Sequence, residues 1–269
     1  MRTNEKARGK RTSLFLRMAP LLVFLLLWEV VARTVERGTF YYGSPVTVGE
    51  LLVSKLIDGS LIRHTLITSY EVILGFCIGN AGGIVLGLAL CYRPTISQIM
   101  RPYIVVIGSV PILALAPMIV IWFGIGLYAK IVIVALSTVV VATIQAFEGG
   151  INTNPEFIEL LNAQGASRFT VFRKVVVPSS LLWLFAGLKL NVGFAILGAV
   201  VGEFIAANAG LGHLIFESMG LFNTPALLVG VVMICVISIL LTSAIGFLQR
   251  KVMPWKFKKT DQDFYGEAL

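Results

Sequence analysis

The sequence has little charge: 13% of its 269 residues are Asp, Glu, Lys or Arg, whereas 57% are hydrophobic. A soluble globular protein carries about 25% charged residues. A soluble domain of this length needs a polar coat, and this chain contains too little polar sequence to make one. We therefore expect much of its apolar surface to face lipid.

Histidine is also scarce, because His64 and His213 are the only two in the chain. An intramembrane enzyme needs clustered His, Asp, Glu or Cys side chains, and neither histidine has a second His or Cys at ligand spacing. We therefore expect neither a catalytic site nor a metal site. A phosphate-binding loop of the type G-x-x-x-x-G-K-[ST] is absent as well. Any ATP must then be bound by a partner, and no cofactor is expected on this chain.

Long runs without charge predict membrane-spanning helices, which need about 20 mainly apolar residues. Four runs contain no charged residue: 72–92, 102–129, 131–147 and 218–249. Two weaker spans, residues 14–33 and 181–204, contain charges. The strands of a membrane barrel would show short segments of alternating polarity instead. We predict an all-α membrane protein with six transmembrane helices.

Lysine and arginine are unevenly distributed between these spans. With a cytoplasmic N-terminus, 16 of the 22 lie inside and 5 outside, as the positive-inside rule expects. We predict that both termini are cytoplasmic, with a basic tail at residues 1–13, an external segment at 34–64 and a second tail at 256–269. Since the basic residues lie at membrane edges and form no separate domain, no nucleic-acid partner is expected.

Local patterns predict helix starts and close contacts. In the external segment, Thr47 and Glu50 fit a capping box, which predicts a short amphipathic helix on the membrane surface or a helix that caps the bundle. The second span carries four glycines at intervals of four residues, which place them on one helix face and allow another backbone to approach closely. They are Gly75, Gly79, Gly83 and Gly87. Asn80, in the middle of this span, is expected to face protein.

Three prolines, Pro102, Pro111 and Pro117, interrupt the third span. Proline kinks a helix and frees backbone carbonyls. In a membrane this is tolerated where neighbouring helices or a cavity satisfy those groups. Both a moving wall of a transport path and a static kink fit this pattern.

The segment 149–178 is moderately polar and cytoplasmic by the charge distribution. It contains two helix-like stretches, 155–164 and 167–177, with Gly165 between them. Glycine tolerates positive φ and therefore suits a helix stop. A long structured loop is unusual in a small membrane protein, and it suggests docking to a cytoplasmic partner.

This segment resembles the EAA motif of permease subunits of binding-protein-dependent ABC importers. It reads Glu159-Leu-Leu-Asn-Ala-Gln-Gly165-Ala-Ser-Arg168-Phe, and Val175-Val-Val-Pro178 follows. Glu159 and Gly165 match at the expected separation, although two leucines stand where the family usually has two alanines. Other stretches resemble the nitrate, sulfonate and taurine branch: Pro111-Ile-Leu-Ala-Leu-Ala-Pro117 with Trp122-Phe-Gly-Ile-Gly126, Gly202-Glu203-Phe-Ile with Gly210-Leu-Gly212, and Ser44-Pro45.

The resemblance covers about residues 44–255. It implies a type I ABC importer permease fold in the bacterial cytoplasmic (inner) membrane, with a permease core at residues 65–255. The chain would be a transport subunit rather than an enzyme, and would form the path for a small anionic solute such as nitrate, a sulfonate or taurine. The implied partners are two copies of an ATPase subunit, a periplasmic or lipid-anchored solute-binding protein and a second copy of this permease.

The same resemblance implies two sets of functional residues. The ATPase-coupling residues would be Glu159, Gly165, Ala166, Ser167, Arg168 and Phe169. Residues of the translocation path would include Pro111, Pro117, Lys189, Asn191 and Glu203.

A secondary transporter is the main alternative. It would show inverted repeats with broken helices in both halves, and no repeat is evident. Its coupling would rest on intramembrane ionisable residues, for which Glu29, Glu71, Lys189 and Glu203 are candidates. Glu29 and Glu71 lie near span ends and are expected at the membrane interface. Lys189 and Glu203 lie 14 residues apart on one helix, so each is expected to contact another helix or line a pore.

Overall fold

A computed structural model describes residues 2–256, with side chains from Met18 onward except that of Pro94. All the regular structure in this range is helical. The helices are α1 Arg2–Thr34, α2 Gly38–Tyr42, α3 Pro45–Ile57, α4 Ser60–Cys91, α5 Pro94–Gly108, α6 Ala116–Phe123, α7 Leu127–Ile151, α8 Pro155–Ala163, α9 Arg168–Val171, α10 Val177–Ala206, α11 Leu211–Gly220 and α12 Thr224–Val252. Most of the predicted tail at 256–269 lies outside the described residues.

Four helical segments within this range are long and apolar enough to cross a membrane: Ser60–Cys91, Leu127–Ile151, Arg168–Ala206 and Thr224–Val252. Thr95–Gly108 and Ile112–Phe123 are bent by 66° across a short break. If this bent pair is counted as one span, the number of spans is five. These five segments contain or overlap five of the six predicted spans. Side chains of the first predicted span, 14–33, are described only in part, so the count of six and the cytoplasmic termini stay predictions.

The break in the third span lies at Pro111. α5 ends at Gly108, and a 3₁₀ turn over Ile112–Leu115 leads into α6. Pro117 occupies the first turn of α6, where proline's missing N–H leaves no hydrogen bond unmade. Pro102, in contrast, lies inside α5. The predicted broken span is therefore confirmed, but only one of its three prolines coincides with the break.

Two compact units make up the described chain: residues 2–63 with 214–232, and residues 64–213 with 233–256. In the first unit, the hydroxyl of Ser44 donates to the Glu29 carboxylate at 2.6 Å, and Trp28 Nε1 donates to the Tyr42 carbonyl at 3.2 Å. These bonds attach the start of α3 to α1.

The helix predicted in the external segment is present as α3, but the predicted capping box is wrong. α3 begins at Pro45, with Ser44 in the extended N-cap conformation. Thr47 lies inside the first turn, where its hydroxyl donates back to the Ser44 carbonyl at 3.1 Å. Proline at the first helical position is pre-organised for a helix start, and this moves the start three residues earlier than the capping pattern indicated.

In the second unit, the glycine face of α4 packs directly against α7. A Cβ added to Gly75 would stand 2.5 Å from Cβ of Val134, and one added to Gly83 would stand 2.5 Å from that of Ala142. The contacts advance in the same direction along both helices, so α4 and α7 run parallel. The predicted groove is confirmed, and α7 is the helix that fills it.

On another face α7 packs antiparallel to α10. Gly149 of α7 approaches Ser180 and Trp183, near the start of α10, whereas Gly202 of α10 approaches Lys130, near the start of α7. The core of this unit is apolar and includes Val72, Val134, Phe185, Val192, Ala195, Ile196 and Ala199. α7 is therefore the central helix of the unit.

The entry into α10 contains a wide turn. Residues Phe172–Val176 are π-helical, and the N–H of Val177 donates to the carbonyl of Phe172, five residues earlier. Pro178 follows immediately and has no N–H to donate. The helical path from Arg168 to Ala206 is nevertheless continuous, so α9 is joined to α10 through this turn.

Candidate functional site

The segment predicted to dock a cytoplasmic partner folds as a pair of short helices, α8 and α9. α8 ends in a Schellman motif: Gly165 N–H donates to the Asn162 carbonyl at 3.0 Å, and Ala166 N–H donates to the Leu161 carbonyl at 3.0 Å. Gly165 has φ of 75°, in the left-handed region that only glycine adopts readily. The sharp reversal between the two helices therefore depends on this glycine.

Side chains cap the start of both helices. Asn154 Oδ1 accepts from the Glu156 N–H at 3.0 Å, and Ser167 Oγ accepts from the Thr170 N–H at 3.3 Å. Each cap satisfies a backbone donor that a helix start leaves open. Ser167 therefore has a structural role that its place in the motif did not show.

The outer surface of this helix pair exposes large apolar side chains. Phe157, Leu160 and Phe169 are 55%, 57% and 59% exposed, and Glu159 and Arg168 are exposed beside them. Large apolar side chains that are exposed side by side are typical of surfaces that bind another protein or a membrane. The two leucines that replace the family's alanines behave differently, because Leu160 adds to this surface while Leu161 is half-buried.

Behind the helix pair lies a cavity of about 620 Å³. Its lining joins the pair to the membrane helices: Cys91, Tyr92, Ser97, Gln98, Gly150, Ile151, Ile158, Asn162, Arg168, Val171, Phe172 and Val176. Tyr92 and Phe172 meet edge to face, with ring centroids 5.1 Å apart. The cavity and this aromatic contact therefore place α8 and α9 next to the ends of α4 and α7.

Residues predicted for the translocation path fall into two groups. Pro111, Pro117 and Lys189 are exposed, and their role in a path stays a prediction. Asn191 and Glu203 are 0% and 1% exposed, and their role in a path stays a prediction as well. Both are held by hydrogen bonds inside the subunit.

Asn191 connects three helices of the second unit. Its Nδ2 donates to Asn80 Oδ1 at 2.6 Å and to the Thr138 carbonyl at 3.1 Å. Asn80 Nδ2 in turn donates to the Phe76 carbonyl at 2.8 Å. The prediction that Asn80 faces protein is confirmed, and α4, α7 and α10 share one buried amide network.

Lys189 contacts α12, where its Nζ donates to Gln249 Oε1 at 2.7 Å. Glu203 contacts α4, where its Oε1 accepts from the Thr68 hydroxyl at 2.7 Å. Of the two predicted alternatives, contact with another helix is therefore observed for both residues, while pore lining stays a prediction.

Three charged side chains are buried together where α4, α7 and α10 meet. Glu71 is 0% exposed and forms an ion pair with Lys130, which is 6% exposed; Glu203 joins them from α10. Both Glu71 and Lys130 are therefore buried inside the protein, and the position of Glu71 at the membrane interface stays a prediction. We call Glu71, Lys130 and Glu203 the buried triad.

The motif Gly210-Leu-Gly212 wraps around the Glu203 carboxylate. Gly212 N–H donates to Glu203 Oε2 at 2.5 Å, and a Cβ at either glycine would collide with the Glu203 carboxylate. The backbone of Gly210 also meets His64, whose Nδ1 lies 2.9 Å from both its nitrogen and its oxygen. The absence of a side chain at both glycines thus leaves space for this turn beside the buried acid.

Residues 79–255 match the family described as "Binding-protein-dependent transport system inner membrane component". The chain is 30% identical over 248 residues to the formylaminopyrimidine transport permease protein ThiX of Halalkalibacterium halodurans, covering 90% of this chain and 97% of that protein. It is 32% identical over 236 residues to the riboflavin transport system permease protein RibX of Chloroflexus aurantiacus, covering 88% of each.

A further relative is the taurine transport system permease protein TauC of Escherichia coli, at 29% identity over 94% of this chain and 96% of that protein. Among solved structures, an inward-facing conformation of the MetNI methionine ABC transporter contains a chain that aligns with a TM-score of 0.64 and 20% identity. The alignment covers 74% of this chain and 98% of that one. The fold is therefore that of an ABC importer permease. With two thirds of its length inside the family match, the chain belongs to the inner membrane permease components of binding-protein-dependent ABC transport systems.

Proposed function

We propose that this permease forms half of the translocation path of an ATP-driven importer, as a homodimer. Two cytoplasmic ATPase subunits would bind beneath it, and a periplasmic or lipid-anchored binding protein would deliver the solute from outside. The observation that carries this proposal is the helix pair α8–α9, which exposes Phe157, Leu160 and Phe169 next to Glu159. A surface of this kind fits a groove on an ATPase. ATP would be bound by the ATPase subunits and not by this chain.

In this proposal the coupling residues act in different ways. Gly165 and Ser167 build the turn, Phe169 and Arg168 meet the ATPase, and Glu159 presents a charge on the same surface. Ala166 closes the Schellman motif through its N–H. Movement of the ATPase pair would reach α10 through the wide turn and reach α4 and α7 through the lining of the cavity.

We propose a small anionic solute, such as nitrate, a sulfonate or taurine. The TauC relative supports this choice, and the names of ThiX and RibX favour nitrogen heteroaromatic solutes as the second candidate. Lys189 supports an anion because it is a positively charged, exposed residue in an otherwise apolar helix.

Uptake into proteoliposomes tests the proposal. The permease, its ATPase and its binding protein would be reconstituted together, and labelled taurine, formylaminopyrimidine and riboflavin would be offered with ATP on the ATPase side. We expect uptake that requires ATP and the binding protein and survives a protonophore. Uptake without ATP that a protonophore abolishes would instead establish the secondary transporter. Uptake of riboflavin but not taurine would reject the anionic solute while retaining the importer.

The predicted orientation is tested by labelling single cysteines in right-side-out vesicles. In a variant without Cys77, Cys91 and Cys235, Asp58→Cys is expected to react with a membrane-impermeant maleimide, because it is exposed between α3 and α4 on the predicted outer side. Ser167→Cys is expected to react only after permeabilisation. Labelling of Ser167→Cys before permeabilisation and of Asp58→Cys only after it would show that the topology is the reverse of the predicted one.

A further inference from the structure

The first unit exposes a group of aromatic and aliphatic side chains beside the start of α12. They come from α2 and from the connection between α11 and α12, and each is at least 51% exposed: Phe40, Tyr41, Tyr42, Leu221 and Phe222. We call these five residues the aromatic patch. Phe40, Leu221 and Phe222 line one depression of about 490 Å³. Exposed apolar side chains grouped in this way are typical of a surface that binds lipid or another protein.

Phe222 has an unfavourable backbone conformation although its ring is not packed inside the chain. Its φ is 53°, because it ends α11 in a Schellman motif. In this motif the Phe222 N–H donates to the Met219 carbonyl at 3.1 Å, and the Asn223 N–H donates to the Ser218 carbonyl at 2.8 Å. Glycine adopts such a φ readily, whereas a bulky residue is strained there. The ring is 72% exposed, so burial does not offset the strain, and the combination points to a contact outside the chain.

The level of the patch along the membrane helices favours lipid as its partner. α12 is apolar enough to span a membrane and begins at Thr224. Phe222 precedes this start by two residues, which reach at most about 7 Å. The Thr224 hydroxyl donates to the Phe40 carbonyl at 2.6 Å, so α2 lies at the same level. Aromatic side chains are enriched at this depth, where the headgroups meet the hydrocarbon.

Charge beside the patch fits the same partner. Arg37 directly precedes α2, is exposed and has φ of 56°. Among the described residues it is the other non-glycine residue in the left-handed region, so both strained residues border this patch. A guanidinium group matches the geometry of a phosphate. Apolar rings next to an exposed arginine therefore suit a phospholipid surface, with acyl chains below and phosphates above.

We propose that the aromatic patch is a membrane-interface anchor that inserts Phe222 and the rings of α2 between phospholipid headgroups, at the level where α12 enters the bilayer. Arg37 contacts the lipid phosphates from the start of α2. The Schellman motif and the bond from Thr224 to Phe40 hold the rings at one depth. The anchor therefore fixes how deeply the first unit sits in the membrane, whichever solute the permease carries.

Quenching by spin-labelled lipids tests the anchor in the full-length permease. In the variant without native cysteines, Phe222→Cys would carry an environment-sensitive fluorophore, and the protein would be reconstituted into vesicles of phosphatidylcholine and phosphatidylglycerol. We expect emission at shorter wavelength than in water, and loss of most of the intensity when the lipids carry a nitroxide on the headgroup. Asp58→Cys is the matched control, because Asp58 is exposed and lies two residues before the span of α4. It should emit as in water and lose little intensity.

Tyr41→Cys covers the case in which the labelled Phe222→Cys fails to fold. Tyr41 lies on α2 and is 61% exposed, so its label should be quenched by the same lipids. Quenching of both positions by aqueous iodide but not by labelled lipid would place the patch in water and overturn the proposal. Protection of both positions from lipid and iodide would also overturn it: if the protection requires the binding protein, the patch is its docking surface, and if it grows with permease density, the patch joins two copies of this chain.

Discussion

Replacing Gly165 with valine is expected to abolish the stimulation of ATP hydrolysis by loaded binding protein, while the permease still inserts and folds. The backbone at this position has φ of 75°, which costs a residue with a Cβ about 1–2 kcal/mol and a β-branched residue more. Apart from the two neighbouring residues in the chain, no described residue has an atom within 4 Å of the position of an added Cβ. The effect therefore comes from the backbone alone, and it disrupts the Schellman motif that orients α8 against α9.

Matched substitutions separate backbone conformation from side-chain volume at this site. Gly165→Asn should retain most of the coupling, because asparagine tolerates the left-handed region, and Gly165→Ala should be intermediate. Glu159→Lys should uncouple the ATPase by changing the charge on the docking surface without altering the fold. ATP hydrolysis and solute uptake would be measured at equal permease levels. Full uptake by both Gly165→Val and Glu159→Lys would show that α8 and α9 do not couple ATP hydrolysis to transport.

Gly79→Val is expected to have the largest effect on stability. A Cβ at this position would overlap Thr138 Oγ1 and the carbonyl oxygen of Ala135, and the second of these is backbone that cannot rotate away. Overpacking of this kind costs about 1–3 kcal/mol, and more where the backbone must move. We expect little folded protein in the membrane and a strongly lowered unfolding temperature in detergent.

Gly82→Val is the control for this substitution. Gly82 lies on the same helix three residues away, and the nearest atom to an added Cβ is Val139 Cγ2 at 3.9 Å. The two variants have the same composition and nearly the same depth in α4, so a difference between them reports the contact with α7. Equal unfolding temperatures for Gly79→Val and Gly82→Val would mean that α4 and α7 do not pack through the glycine face.

The sequence revealed features that repeat along one helix or occupy one short segment. The four-residue spacing of the glycines predicted their contact with another helix correctly, because both the pattern and the contact belong to one face of α4. Gly165 was equally visible, since a helix stop needs a particular conformation at one residue. The capping pattern at Thr47 failed because Pro45 supplied a stronger local signal for the start of α3.

The buried triad could not be found in this way. Glu71 and Lys130 lie far apart in the sequence, on helices whose rotation depends on the whole bundle, and each resembles an ordinary residue at a span end. Asn191 and Glu203 were recognised as polar residues inside a membrane helix. Whether such a residue faces a pore or a neighbouring helix depends on which side of α10 is covered, and a single helix does not specify that.

The wide turn at Phe172–Val176 sets the rotation of α9 about the helix axis relative to α10. An α-helix rotates by about 100° per residue, and α9 continues through this turn into α10. Removing one residue here would leave the bundle contacts of α10 in place but swing Phe169 about a quarter of a revolution around the helix axis. The length of this turn therefore determines the direction in which Phe169 points relative to the bundle contacts of α10.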